Sequence, residues 1–222
     1  MKKRLAIFTL LSSTLLFGAC SNSKPRSEEK SHSNIKTSQK TSSISQSISS
    51  QSNSQNSLWD QSKQKQLDAF IRQWGNNTKQ HYQSYNPHHN LDYYGCVFPS
   101  NLKHTLLKVD NQVVTMNWSN NGKGTADYNI VGIYSNTETS KPMKAYLYFF
   151  AFHKDQPIVL VTQQNNGNVS KTDPSNPKNG LHFNVAKNAE LTNGFNAIVN
   201  NQVPQLNGKP LNSTIFYKKD CG

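Results

Sequence analysis

The stretch YLYFFAFHKDQPIVLVTQQ, residues 146–164, decides how this chain folds. Side chains of an extended strand point alternately to the two faces of a sheet. Here both alternating sets are apolar: Tyr146, Tyr148, Phe150 and Phe152 form one, and Leu147, Phe149 and Ala151 the other. A strand of that kind lies centrally and is covered on both faces. Lys154-Asp155 interrupts the run and the β-branched residues after Pro157 resume it, so the stretch reads as a hairpin.

Working outward, TLLKVDNQVVTMNWS (105–119) is a second hairpin, turning near Asp110-Asn111. LDYYGCVF (91–98), ADYNIVGIYS (126–135) and LHFNVAK (181–187) read as strands, rich in β-branched and aromatic residues and bounded by Gly, Asn, Asp and Pro. GKGTAD (122–127) lacks the strand, spacing and lysine of a phosphate-binding loop and reads as a turn.

Upstream of the strands the period changes. Trp59, Leu67, Phe70, Ile71, Trp74, Thr78, Tyr82 and Tyr85 follow helical spacing, with Ser57 as N-cap ahead of an acidic first turn at Asp60 and with Pro87 as the stop. Lys63, Lys65, Arg72 and Lys79 belong to its solvated face. A second helix is predicted from Ala189 to Asn200, burying Leu191, Phe195, Ile198 and Val199. The expected fold is therefore α+β: an N-terminal amphipathic helix packed on a mainly antiparallel sheet of about five to seven strands, with a second C-terminal helix.

The domain so described begins near residue 58 and runs to 222. Before it stands a different composition. Lys2, Lys3 and Arg4 precede an apolar run ending at Phe17, the form of a secretory signal, too short for a resident span of roughly 20 residues. Phe17-Gly18-Ala19-Cys20 has the form of a bacterial lipobox, with cleavage between Ala19 and Cys20 and a diacylglyceryl group on the Cys20 thiol. Leu is more usual than Phe at the first of these positions. Residues 21–57 hold fifteen serines and no aromatic residue, a composition that cannot bury enough apolar surface to order itself. As a flexible tether it spans about 30 to 37 Å, which keeps the domain near an outer leaflet.

The net charge of +12 divides into +3 in the signal, +3 in the tether and +6 in the domain. That excess suits anionic wall polymers or headgroups. An exported chain without basic and aromatic interleaving is not a nucleic-acid binder. Nucleophile elbows and zinc-binding HExxH motifs do not occur. None of the ten carboxylates in the domain recurs at i, i+3 or i+4 on a predicted helix face, so no acid–base pair is proposed from spacing.

His81, His88 and His89 fall within nine residues, but no Cys or carboxylate stands at ligand spacing beside them. They are not assigned a metal, and no cofactor is expected. Cys96 and Cys221 leave three readings open: a disulfide, two inert thiols, or a reactive Cys96. NNGNVSKTDPSNPKNG (165–180) is a long turn-rich loop with Val169 as its apolar anchor, and it is either functional or mobile.

The signal and lipobox, the Ser-rich tether, LWDQSKQKQLDAFIRQWGNNTKQHYQSY, LDYYGCVFP, GKGTADYNIVGIYS and the opening hairpin together resemble the lactic-acid-bacterial surface lipoprotein family of the domain of unknown function 4767. The resemblance covers nearly all of residues 58–200 and rests on Trp59, Trp74, Tyr82, Tyr85, Gly95, Pro99 and the strands at 128–134 and 157–163. It implies a surface lipoprotein and carries over no activity, ligand or catalytic residue. The expectation is a protein held on the extracytoplasmic face of the cell membrane through acylated Cys20, its domain a non-enzymatic binding module for a wall polymer or another exported protein. The alternative is an envelope hydrolase or transferase whose site gathers scattered polar residues around the 165–180 loop.

Overall fold

The computed structural model describes residues 57–165 and 168–211. In chain order these form α1 (Gln61–Asn77), β1 (Gln83–Tyr85), β2 (Leu91–Tyr93), β3 (Cys96–Phe98), β4 (Leu107–Val109), β5 (Gln112–Val114), β6 (Met116–Trp118), β7 (Tyr128–Ser135), β8 (Leu147–His153), β9 (Gln156–Thr162), β10 (Leu181–Val185), α2 (Ala189–Val199), β11 (Gln205–Leu206) and β12 (Lys209–Pro210).

The fold is α+β. Its main sheet runs β1-β7-β8-β9-β10-β4-β5, with β6 as an eighth strand on β7, so it exceeds the five to seven strands expected. Only the β4–β10 and β6–β7 pairs are parallel. Both expected hairpins form. Asp110 and Asn111 have φ of 49° and 67°, and Lys154 and Asp155 have 50° and 64°. Positive φ at both central residues matches the right-handed twist of the flanking strands.

Strand β8 divides the core. Leu147, Phe149 and Ala151 join one buried cluster with Phe98, Leu107, Met116, Ile133, Leu160 and Phe183. Tyr148, Phe150 and Phe152 join the other, with Trp59, Leu67, Phe70, Ile71 and Trp74 and with Leu191, Phe195 and Ile198 of α2. Aromatic rings key the two faces. Phe150 meets Phe195 edge-on at 5.2 Å and Phe98 meets Phe149 at 5.4 Å. Edge-to-face pairs of this kind add about 0.5–1.5 kcal/mol beyond the area they bury.

Four expectations are corrected. LDYYGCVF is not one strand: Tyr94 and Gly95 take φ of 51° and 88°, and β2 folds back on β3 as a separate two-stranded sheet. The Gly95 N–H donates to Asp92 Oδ1 at 2.8 Å and closes that turn. The cap of α1 is Asp60, whose carboxylate accepts the Lys63 N–H at 2.9 Å; Ser57 lies outside the helix. Pro87 does not end α1, which stops at Asn77 with Thr78 as C-cap and Lys79 at φ 55°. Tyr82 and Tyr85 are consequently not helical, although Tyr82 still stacks on Trp74 at 5.1 Å, and Tyr85 is in β1. Helix α2 matches its expected span, with Val199 only half-buried and Asn200 as its cap.

Candidate functional site

A gap in the sheet sets up a lined cleft that gathers chemistry from several elements. Strand β7 pairs with β8 along one edge. On its other edge, β1 covers Ile133–Ser135 and β6 covers Tyr128–Ile130. Neither reaches Val131 or Gly132, where the β7–β8 register also shifts. Irregularities of this type occur beside functional sites because they re-aim side chains and interrupt pairing.

A cleft of about 310 Å³ opens at this gap. Val131 forms its floor, β1 and the residue after it contribute Ser84, Tyr85 and Asn86, and β6 with its continuation contributes Trp118, Ser119 and Asn120. The start of α1 supplies Trp59, Asp60, Gln61, Gln64 and Asp68. The chain entering α1 is tied to the β6 side, since the Asn121 carbonyl accepts the N–H groups of Leu58 at 2.9 Å and Trp59 at 3.0 Å.

The α1 wall is braced from behind. Tyr134 Oη donates to Asp68 Oδ1 at 2.6 Å, Gln64 Nε2 donates to the same oxygen at 3.2 Å, and Trp59 Nε1 donates to Gln64 Oε1 at 3.3 Å. Burial, and then the neighbouring Asp68 carboxylate, hold the Tyr134 phenol well above its ordinary pKa, so it stays a donor. Opposite, the half-buried Trp118 indole donates to Asn120 Oδ1 at 2.8 Å. Tyr85 is pushed up to about 12 by burial and by Glu138.

The lining has one electrostatic character. It contains two carboxylates, Asp60 and Asp68, and no Lys, Arg or His. Lys63, one turn into α1, is not on the solvated face expected but buried, its ammonium donating to the Leu58 carbonyl at 3.0 Å. The positive end of the helix dipole is met by Asp60 itself. The domain is basic as a whole, yet the cleft is not.

The residues singled out from sequence fall elsewhere. Cys96 is buried, and its thiol donates to the Val169 carbonyl at 3.6 Å. Burial raises its pKa, the opposite of what a reactive cysteine requires. Its suggested partner Cys221 lies outside the described residues, as do Ala19 and Cys20. His89 stacks on Tyr85 at 5.1 Å, and His88 donates its backbone N–H to Asn86 Oδ1. Among the described residues no three His, Cys, Asp or Glu side chains form a metal-binding group.

In the 165–180 loop, Val169 is buried as an anchor. The buried Lys108 ammonium holds the loop's other limb through the carbonyls of Pro177 at 3.0 Å and Asn176 at 3.4 Å. None of its residues lines the cleft. No helix among the described residues is long and apolar enough to cross a membrane.

The cleft itself was not anticipated from sequence. Its trace was there, because Asp60, Gln64 and Asp68 stand at i, i+4 and i+8 and so share one helical stripe. That pattern is indistinguishable from an ordinary solvated face until β1 and β6 are known to stop short beside it. No curated protein and no solved structure matches the chain. The family model described as Domain of unknown function (DUF4767) matches residues 56–199, well over half of the sequence, and the chain belongs to that family.

Proposed function

We propose that the protein is a surface lipoprotein, held at the extracytoplasmic face of a bacterial membrane by acyl chains on Cys20, whose domain binds an envelope component in the β1–β6 cleft. In this reading residues 21–57 are the tether and α1 lies across the sheet as the cleft's upper wall. The observation that carries it is the lining: carboxylates, amides and an indole converge there from three separate elements. Ligand pockets are typically concave, with a few placed polar groups on an apolar frame. Two acyl chains hold a protein stably where one is marginal.

The two carboxylates also raise the hydrolase reading, and their engagement argues against it. One oxygen of each is already held, by the Lys63 N–H and by the Tyr134 hydroxyl. Groups fixed in this way suit recognition better than proton transfer.

Two experiments test the proposal. Membrane fractionation of wild type and Cys20→Ala, with mass spectrometry of the N-terminus, should show a diacylglyceryl thioether and loss of the anchor in the variant. Retention of the detergent-solubilised full chain on isolated envelope should drop at least tenfold in Trp118→Ala. A bare Cys20 thiol, or undiminished retention of a folded Trp118→Ala, refutes the corresponding half.

A further inference from the structure

We infer that the ligand of the cleft is an uncharged, hydroxyl-rich sugar unit of a glycan chain, rather than an anionic polymer; the inference rests on the cleft being the binding seat proposed above. The argument begins with charge. A phosphate or carboxylate ligand needs a cationic or N–H-rich partner. The lining offers no basic side chain, and its two formal charges are both negative. In this lining, the start of α1 is where backbone N–H groups would favour an anion. There Asp60 already accepts the Lys63 N–H and sets its own negative charge across that end. The basic surplus of the domain therefore does not describe this cleft.

The remaining hydrogen-bonding capacity matches hydroxyl groups. Among the described residues, the second carboxylate oxygens of Asp60 and Asp68 have no protein partner, whereas their first oxygens are engaged. A carboxylate oxygen only accepts, and a sugar hydroxyl can donate to it. The amide groups of Gln61, Asn86 and Asn120 stand around the same space. The Asn86 and Asn120 oxygens are taken by the His88 N–H and the Trp118 indole N–H. Their amide nitrogens have no partner among the described residues and remain donors, complementary to the acceptor lone pairs of the same hydroxyls.

Trp118 adds the apolar element. Its half-buried indole packs partly against the core cluster of Phe98 and Met116 and its N–H is already satisfied, so what it contributes to the cleft lining is apolar ring. A sugar ring presents C–H groups on its faces and hydroxyls at its rim, so it meets an indole and a ring of amides and carboxylates at once. The cleft volume of about 310 Å³ is at the small end of ligand pockets, of roughly 300–1,000 Å³, and fits a short piece of a longer chain.

The test is indole fluorescence titration of the full chain with chitotetraose and maltotetraose as uncharged sugar probes and with poly(glycerol phosphate) as the anionic probe. At least one sugar should bind, with an affinity that changes less than twofold between 50 and 500 mM salt, since no ligand charge is screened. Asp68→Asn should weaken it at least tenfold. Asp60→Asn keeps the helix cap while removing the charge, and provides a second reading should Asp68→Asn unfold. The inference is overturned if neither sugar binds, if the anionic polymer competes for the cleft, or if affinity falls steeply with salt. Those results leave the binding seat standing provided that Trp118→Ala still releases the protein from isolated envelope. If Trp118→Ala is retained normally, the seat itself is wrong.

Discussion

Helix α2 carries a glycine where a side chain would strike a ring. A Cβ built on Gly194 would lie 2.1, 2.5 and 2.6 Å from three atoms of the Phe70 ring, well inside ordinary contact, which begins at 3.4 Å. Phe70 is fully buried, so the ring has nowhere to retreat without moving α1 or its neighbours. Gly194→Ala gains about 1 kcal/mol of helix propensity. Overpacking a filled core costs about 1–3 kcal/mol, and a clash with a rigid ring belongs at the upper end.

The net effect should be a loss of about 2 kcal/mol, or about 4–8 °C in Tm for a domain of this size, at roughly 2–4 °C per kcal/mol. Thermal and urea unfolding followed by circular dichroism measure it. The exposed neighbour Asn196→Ala should be neutral or slightly stabilising. Phe70→Leu should relieve part of the Gly194→Ala penalty in a double-mutant cycle, the mark of a direct contact. A Gly194→Ala protein with unchanged or raised Tm would refute the close approach of α2 to Phe70.

Asp60→Ala should cost about 1 kcal/mol through the lost cap, whereas Ser57→Ala should leave helix content unchanged by circular dichroism. Tyr85 and Tyr148 are both pushed up to about 12, chiefly by burial. The unfolded chain ionises these phenols near pH 10, so their contribution is complete below that and is lost as pH rises toward about 12. Urea midpoints should fall over this range, with native phenolate absorbance lagging behind that of the unfolded chain. Asp127 is held below the usual carboxylate pKa by the Thr115 N–H and hydroxyl, each at 2.8 Å. A depressed carboxylate stabilises above its unfolded pKa of about 3.9 and stops doing so as pH falls through its folded value. The stability gap between wild type and Asp127→Asn should close on acidification below about pH 4, and Thr115→Val should shrink it.

The parts of this fold that a sequence can show are those with a period. YLYFFAFH announced a central strand because both of its faces had to be apolar, and each set does enter its own core cluster. The Asp110-Asn111 and Lys154-Asp155 turns were visible because short polar pairs between β runs rarely mean anything else. What failed was punctuation. Tyr94-Gly95 split one apparent strand into a hairpin, because a single glycine in an aromatic run gives no sign that its neighbour also takes positive φ. Trp74 and Tyr82 keep helical spacing although the helix ends between them, and the stack at 5.1 Å maintains the stripe after the helix has gone.

The cleft was illegible for a different reason. It depends on β1 and β6 occupying opposite ends of one edge of β7, a fact about pairing in which β1 meets β7 across 48 to 52 residues of sequence and β6 meets it across 12. No local pattern records which residues of β7 remain uncovered.

The most direct test of the binding seat uses the three tryptophans. Trp59 and Trp118 line the cleft, while Trp74 is buried beside Tyr82 and Tyr148. Two-dimensional NMR of the 15N-labelled full chain, titrated with solubilised envelope glycan fragments, should move the Trp118 and Trp59 indole N–H signals and leave that of Trp74 in place. Shifts confined to Trp74, or no indole shift at saturating fragment, would contradict the account.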